Sequence, residues 1–199
     1  MSWFTIRVSA SSANLGPGFD SLGVALGVYL TCRFRPSGAL AIRVEGRDAA
    51  GIPAGPDDLI WQTAVTVARS HGAEIPPIEL HIHNDIPLGK GMGSSAAALT
   101  TGVIIADRLL GLQWKPLRIL DEAARFEGHP DNVAPCALGS IVASAIDSSG
   151  VTRAARAPRS SCSSSAVTRA SATWCARSSA CTATNRRPCS PASPSTGLK

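Results

Sequence analysis

The stretch PLGKGMGSSAAAL, Pro87 to Leu99, limits what this chain can become more than any other part of it. Three glycines alternate with other residues, two serines follow, and an alanine run comes next. Ahead of it, IELHIHND alternates. Ile78, Leu80 and Ile82 fall on one side and Glu79, His81 and His83 on the other, the period of a half-buried strand. Behind it, SSAAALTTGVIIADRLLG reads as a long, mostly apolar helix stopped by Gly111. A glycine loop between strand and helix suits an anion. Gly89, Gly91 and Gly93 let the backbone take positive φ and approach a ligand closely. Several N–H groups then point into one concavity, and the helix adds its unpaired N-terminal N–H groups and positive dipole end. Ser94 and Ser95 supply hydroxyls for a phosphate or for a metal ion riding on it. Lys90 adds a mobile positive charge, and small Ala96, Ala97 and Ala98 let the helix lie close to a neighbour. A plain strand-to-helix turn with a serine cap needs only one glycine. The loop is not of the Walker type, because no Gly-Lys-Ser/Thr closes it, and no acid ends a second strand about 20 residues later as in a dinucleotide fold.

The chain around the loop reads as α+β up to about Asp147. WFTIRV is a first strand. VALGVYLTCRFRP and ALAIRVEG, rich in β-branched and aromatic residues, are expected to pair as a hairpin turning near Pro36, Ser37 and Gly38. DDLIWQTAVTVARSHG has a helix signature, with Asp57 as cap, Leu59, Ile60, Thr63, Ala64, Val67 and Ala68 on one face, and Gly72 past the end. PLRILDEAARFEG is a helix with Pro116 in its first turn, and LGSIVASAID is a strand candidate. Two further clusters carry chemistry. ANLGPGFDSLG packs Gly16, Pro17, Gly18 and Gly23 around Asn14 and Asp20. Tight turns there present an amide and a carboxylate together, a pair suited to a small ligand's ammonium group, or else serving only to cap backbone. EGHPDNVAP sets Glu127 at a helix end and Asp131 and Asn132 at the next helix start, with His129 either lining a site or packed in a turn.

Composition divides the chain near residue 150. The first 150 residues hold 11 basic against 14 acidic side chains, while the last 49 hold eight basic and no acidic ones, so the overall charge of +5 belongs to the tail. The tail also has 11 Ser and 10 Ala, a single Leu, and no period of 2 or 3.6. It is expected to be disordered, because it cannot bury enough apolar surface to offset chain entropy. Its composition matches GC-rich DNA read out of frame. A nucleic-acid-binding tail is the rival reading, but Trp174 stands alone as an aromatic. Cys162, Cys175, Cys181 and Cys189 match no zinc spacing, and Cys32 and Cys136 read as buried small residues. No run of 18 apolar residues and no basic-then-apolar leader occurs, which makes a cytoplasmic location the default.

PLGKGMGSSAAA resembles the phosphate-binding motif of the GHMP kinases, with Met92 where leucine is usual. SASSANLGPGFDSLGVAL and EGHPDNVAPCALGS are similar to the first and third motifs of the homoserine kinase branch, so the likeness covers residues 4–146. The resemblance implies a GHMP-kinase N-terminal domain over residues 1–150, a mixed sheet with helices on one side, followed by the tail at 151–199. It also implies that the family's second, ferredoxin-like domain is largely missing, and with it the arginines that clamp the substrate carboxylate. The implied reaction is transfer of the γ-phosphoryl of ATP to the L-homoserine hydroxyl, giving O-phospho-L-homoserine for threonine biosynthesis. Carried over by motif, Pro87, Leu88, Gly89, Lys90, Gly91, Met92, Gly93, Ser94, Ser95, Ala96 and Ala97 cradle the triphosphate. Ser95 and Glu127 hold Mg²⁺. Asn14 and Asp20 bind the amino end of homoserine, and Asp131 and Asn132 line the pocket near its hydroxyl. No general base is implied, because a loose phosphoryl-transfer transition state needs positioning and charge stabilisation above all. A homodimer is open, and no membrane or nucleic-acid partner is expected. As written, the chain is expected to be unstable, or weakly active to inactive. Another GHMP small-molecule kinase and a non-catalytic ATP-binding remnant are the alternatives.

Overall fold

The computed structural model describes residues 2–157. The expectations for the tail beyond Ala157, its four cysteines included, therefore lie outside the described residues. The elements are β1 (Phe4–Leu15), β2 (Gly18–Pro36), β3 (Ala41–Gly46), α1 (Leu59–Ser70), β4 (Ile78–Asn84), α2 (Ser94–Leu110), α3 (Pro116–Glu127), α4 (Val133–Leu138), β5 (Ile141–Ile146) and β6 (Thr152–Arg156). The sheet is mixed. Its order is β3-β4-β2-β5-β6, with β1 paired to β2 off that path. Only β3 and β4 run parallel; the other pairs are antiparallel.

β2 is the spine. One edge pairs with β1 from Gly18 to Phe34. The other edge is shared, with Leu30 to Pro36 against β4 and Leu22 to Val24 against β5. The helices gather on one face. There Leu30, Cys32 and Phe34 of β2 meet Ile78, Leu80 and Ile82 of β4 and the apolar sides of α1, α2 and α3 in one core. The opposite face of the β1–β2–β4 region is polar. Arg35 pairs with Glu79 at 2.6 Å, the Arg7 guanidinium lies 3.6 Å from the Tyr29 ring centroid, and Arg33 and Arg35 flank Trp3.

Several expectations hold. Ile78, Leu80 and Ile82 are buried, Gly111 ends α2 in the left-handed conformation, and Pro116 opens α3. Cys32 and Cys136 are buried free thiols. Burial pushes both thiols up, Cys136 to about 12, so neither presents a thiolate at neutral pH.

Others need correction. The expected hairpin between β2 and β3 does not form, because β4 lies between them. The chain leaves β3, runs through α1 and returns as β4 parallel to β3, a crossover that places the two side by side. The Ile78-Leu80-Ile82 stripe takes the covered middle position, and the weaker stripe of Ile42 and Val44 takes the edge. The cap of α1 is Asp58, not Asp57; its Oδ1 accepts the Trp61 N–H at 3.0 Å. Leu59 consequently sits at the first helical position and is exposed rather than on the buried face.

The ordered chain also runs past Gly150. Thr152–Arg156 form β6 against β5, although TRAAR carries no apolar stripe. What holds it is backbone pairing and Asp121. This buried α3 carboxylate accepts the Thr152 N–H at 2.9 Å through Oδ1, and Arg118 and Arg125 bond its Oδ2 at 3.0 and 3.4 Å.

Two predictions follow from these carboxylates. Asp121→Ala strands the Thr152 N–H and uncouples β6 from α3. It is expected to cost about 2 kcal/mol in urea denaturation and to speed exchange of the β5–β6 amides; wild-type stability and exchange would refute the anchor. Burial holds the Asp58 carboxyl above the usual carboxylate range against the helix N–H groups that lower it. Protonation therefore favours the folded chain. The stability tied to this group is whole below the ordinary carboxylate pKa and is lost as pH rises through the folded-state value. Asp58→Asn keeps a capping oxygen without the charge. Its thermal midpoint is expected to rise by a few degrees at pH 7, with the gain vanishing at acid pH.

Candidate functional site

The chain leaves β4 at Asn84, and the next ten residues are pinned at their start. Buried Asn84 bonds the Arg47 carbonyl and the Ile86 carbonyl through Nδ2, at 2.9 and 2.8 Å, and accepts the Ile86 N–H at 3.2 Å. Asp48, itself at positive φ, accepts the Leu88 N–H at 3.0 Å. These contacts fix the backbone ahead of the glycines. Gly89, Gly91 and Gly93 all take φ between +62° and +68°, the left-handed conformation that the sequence requires of them.

Gly93 is the cap of α2, and no side chain caps that helix. The first bond inside the turn is Ala97 N–H to Gly93 carbonyl at 2.9 Å. The N–H groups of Ser94, Ser95 and Ala96 therefore have no helical acceptor, at the positive end of a 17-residue dipole. The reading in which a serine merely caps a turn fails here, because Ser94 and Ser95 are inside the helix. Gly93 is also held for space. A β-carbon there would overlap Ser11 Oγ and lie 3.2 Å from Asn132 Oδ1.

The metal pair inferred from the motifs is brought together across two helices. Ser95 Oγ donates to Glu127 Oε1 at 3.0 Å, joining the first turn of α2 to the last residue of α3. Glu127 lies where Gly128, at positive φ, ends its helix. Asn132 stands at the start of α4 and accepts the Ser11 hydroxyl through Oδ1 at 2.9 Å. Asp131 is buried and already engaged: its Oδ1 accepts the Asn132 N–H at 2.8 Å and contacts His129 Nδ1 at 3.0 Å.

Asn14 and Asp20 meet at the β1–β2 hairpin, both at positive φ, with Asn14 Oδ1 accepting the Asp20 N–H at 3.1 Å. Among the described residues no hydrogen bond joins this pair to the glycine loop. The hairpin is tied to the site lower down, where Gly23 packs against the Asp131 carbonyl.

A cleft of about 230 Å³ opens beside the loop and was not foreseen from the sequence. Leu30, Ile52, Pro53, Ile60, Ile82, Leu88 and Ala98 give it apolar walls, and Asp58, Asn84, Ser94 and Ser95 add polar atoms. Its parts come from β2, the segment after β3, α1, β4 and α2, so no local pattern announces it. Asp58 does carry a signal, an acid at a helix start, but that signal cannot say that the carboxylate also faces a cleft.

With this geometry in view, comparison with known proteins is specific. The family model for the GHMP kinases N terminal domain matches residues 58–140. A homoserine kinase of Solibacter usitatus is 78% identical over 157 residues, covering 79% of this chain and 52% of the relative. One from Deinococcus radiodurans is 43% identical over 147 residues, covering 74% and 48%. The solved homoserine kinase of Cytophaga hutchinsonii superposes with a TM-score of 0.65 at 27% identity, covering 79% of this chain and 52% of that one. The chain thus spans about half the length of the relatives it matches.

The two kinds of glycine in the loop can be told apart. Gly89→Ala meets open space and carries only the cost of its positive φ, about 1 kcal/mol. Gly93→Ala adds the overlap with Ser11 Oγ and is expected to lose at least twice as much in urea denaturation. Equal losses would show that the close approach to β1 is not a constraint.

Proposed function

Because this chain carries a GHMP-kinase N-terminal domain, we propose that it binds Mg-ATP at the glycine loop as the nucleotide-binding part of a homoserine kinase. The reaction proposed for the whole protein is transfer of the γ-phosphoryl group of ATP to the side-chain hydroxyl of L-homoserine, giving O-phospho-L-homoserine. The observation that carries the reading is the uncapped start of α2, with three free N–H groups beside the Ser95–Glu127 pair.

The roles follow from the chemistry of the groups. The N–H groups of Ser94, Ser95 and Ala96 and those of the turns at Gly89 and Gly91 donate to the phosphate oxygens, and Lys90 approaches from solvent. The cleft offers apolar walls to a nucleobase, and Asp58 is among the polar residues that line it. One hydroxyl and one carboxylate, Ser95 and Glu127, form a hard-oxygen donor pair. That suits an ion held mainly by phosphate and water, as Mg²⁺ is, better than one needing a full protein cage. Among the described residues no cluster of three His, Cys, Asp or Glu side chains competes for that ion. Bound Mg²⁺ neutralises charge on the β- and γ-phosphates. The chain's own part is to fix the phosphates with rigid N–H donors that need no reorganisation as charge develops. Asn14 and Asp20 are proposed for the substrate's amino group, and Asn132 for its hydroxyl end. No side chain is given the role of base.

No helix among the described residues is long and apolar enough to cross a membrane. We propose a cytoplasmic location from the relatives' activity.

Calorimetric titration tests the reading. Mg-ATP is expected to bind more tightly than ATP with chelator present. Ser95→Ala and Glu127→Gln are each expected to weaken Mg-ATP about tenfold, or about 1.4 kcal/mol, while leaving metal-free ATP nearly unchanged. Any product seen by phosphorus NMR of the reaction mixture should be O-phospho-L-homoserine, with none from mevalonate or galactose. Failure of Mg-ATP to bind would overturn the assignment of the loop.

A further inference from the structure

Ser11 stands outside every motif role given above, yet three parts of the site converge on it. It is completely buried on β1, at the irregular register where Ser9 pairs with Tyr29 but Ser11 with Ala25. Its N–H donates to the Met92 carbonyl at 3.1 Å, tying β1 to the glycine loop. Its hydroxyl donates to Asn132 Oδ1 at 2.9 Å, tying β1 to the start of α4 across 121 residues of sequence. Gly93 closes on the same hydroxyl oxygen.

We infer that Ser11 is a positioning residue that fixes the Asn132 carboxamide as a hydrogen-bond donor to the ligand. A hydroxyl has one proton to give. Here it goes to Oδ1, although the Cys136 sulfur also lies within hydrogen-bonding reach of Ser11; the thiol's own proton goes to the Ser9 carbonyl at 3.1 Å. Asn132 then has its acceptor satisfied inside the protein. Its Nδ2 bonds no protein group among the described residues, and the residue is only half-buried. Which way an asparagine amide faces follows from its hydrogen-bond network, and this network presents the NH₂ edge outward. An NH₂ edge beside Gly93 suits an oxygen acceptor, either a terminal phosphate oxygen or the hydroxyl that attacks it. It cannot take a proton from that hydroxyl, in keeping with the proposal that no side chain acts as base. The inference rests on the proposed function for the identity of the ligand, and not for the lock itself.

The test is NMR of the ¹⁵N-labelled full chain, with the Asn132 side-chain NH₂ pair identified by its loss in Asn132→Asp. The pair is expected to be nearly as ordered as the backbone in the parent and freely mobile in Ser11→Ala. Ser11→Thr, which keeps the hydroxyl, should restore order. Ser11→Cys, close in size but a weak donor, should fall between and serves if Ser11→Ala fails to fold. Equal order in parent and variants overturns the inference. Mg-ATP, then L-homoserine, is added to the parent. A shift of the pair with Mg-ATP alone assigns the acceptor to phosphate; a shift only after L-homoserine assigns it to the hydroxyl. Mg-ATP binding at the loop with no shift in either step overturns the donor role and leaves the proposed function standing. A Ser11-dependent lock in a chain that binds no Mg-ATP supports the lock and removes the proposed function instead. Mg-ATP affinity is expected to fall tenfold or less in Ser11→Ala, with the thermal midpoint moving little in Ser11→Thr.

Discussion

The site depends on how β2 distributes its hydrogen bonds. A 19-residue strand has more edge than one partner can cover, and here the second edge is shared between β4 and β5. Between Leu30, where β4 ends, and Val24, where β5 begins, the edge of β2 has no ladder partner. The chain fills this interval with single contacts, Asp85 N–H to the Tyr29 carbonyl and Ala25 N–H to the Ser140 carbonyl, at 3.0 and 2.9 Å. The segment leaving β4 and the segment arriving at β5 both pass through this split. The first is the glycine loop, and the second carries Asp131 and Asn132. Opening the sheet there lets N–H groups turn away from a neighbouring strand. It also brings two distant stretches of sequence within reach of Ser11.

Around the split, charge is supplied by backbone more than by side chains. Lys90 is the one lysine or arginine of the loop, and it is exposed. The fixed positive potential comes from the start of α2, whose place is set by apolar contacts: Ala96, Ala97, Val103 and Ile105 are fully buried in the core. Gly102 continues this packing, since a β-carbon there would meet the Ile60 carbonyl and the Thr63 side chain, both at 2.6 Å. α1 and α2 can therefore cross closely. That crossing holds Ser94 and Ser95 against the cleft whose other wall is Asp58. The same small side chains that make α2 a poor surface helix let it pack closely enough to hold its N-terminus beside the cleft.

Much of this was legible in the sequence because it is local. The ends of α2 and α3 are written in Gly111, Pro116 and Gly128. The loop's positive φ angles are written in its three glycines, and the Ile78-Leu80-Ile82 stripe names β4 and its buried side. What could not be read is pairing. Nothing in ALAIRVEG says that its neighbour will be β4 rather than β2, because that choice is a competition for cover won by the more apolar strand. The one-residue shift of the α1 cap is of the same kind: Asp57 and Asp58 have equal capping chemistry, and burial of Ile60 and Ala64 decides between them. β6 was missed because TRAAR is held by ladder bonds and by Asp121, which lies 31 residues away. The Ser95–Glu127 pair came from motif likeness alone, and Ser11 gave no sign, a serine on a strand having no preferred partner.

These differences bear on how such a site divides its work. The grip proposed for phosphate is built within one strand–loop–helix unit and needs only the sheet split and the packing of α2 to be correct. Orienting a second substrate is another matter. Asn14 and Asp20 sit on a hairpin joined to the loop only through β1, and Asn132 owes its direction to a hydroxyl 121 residues away. Ser11 bonds the Met92 carbonyl as well as Asn132, so a displacement of β1 would disturb the glycine loop together with the groups proposed to face a second substrate. Nucleotide binding and alignment of a second substrate are thus proposed to be coupled through β1, with Ser11 as the point at which they are joined.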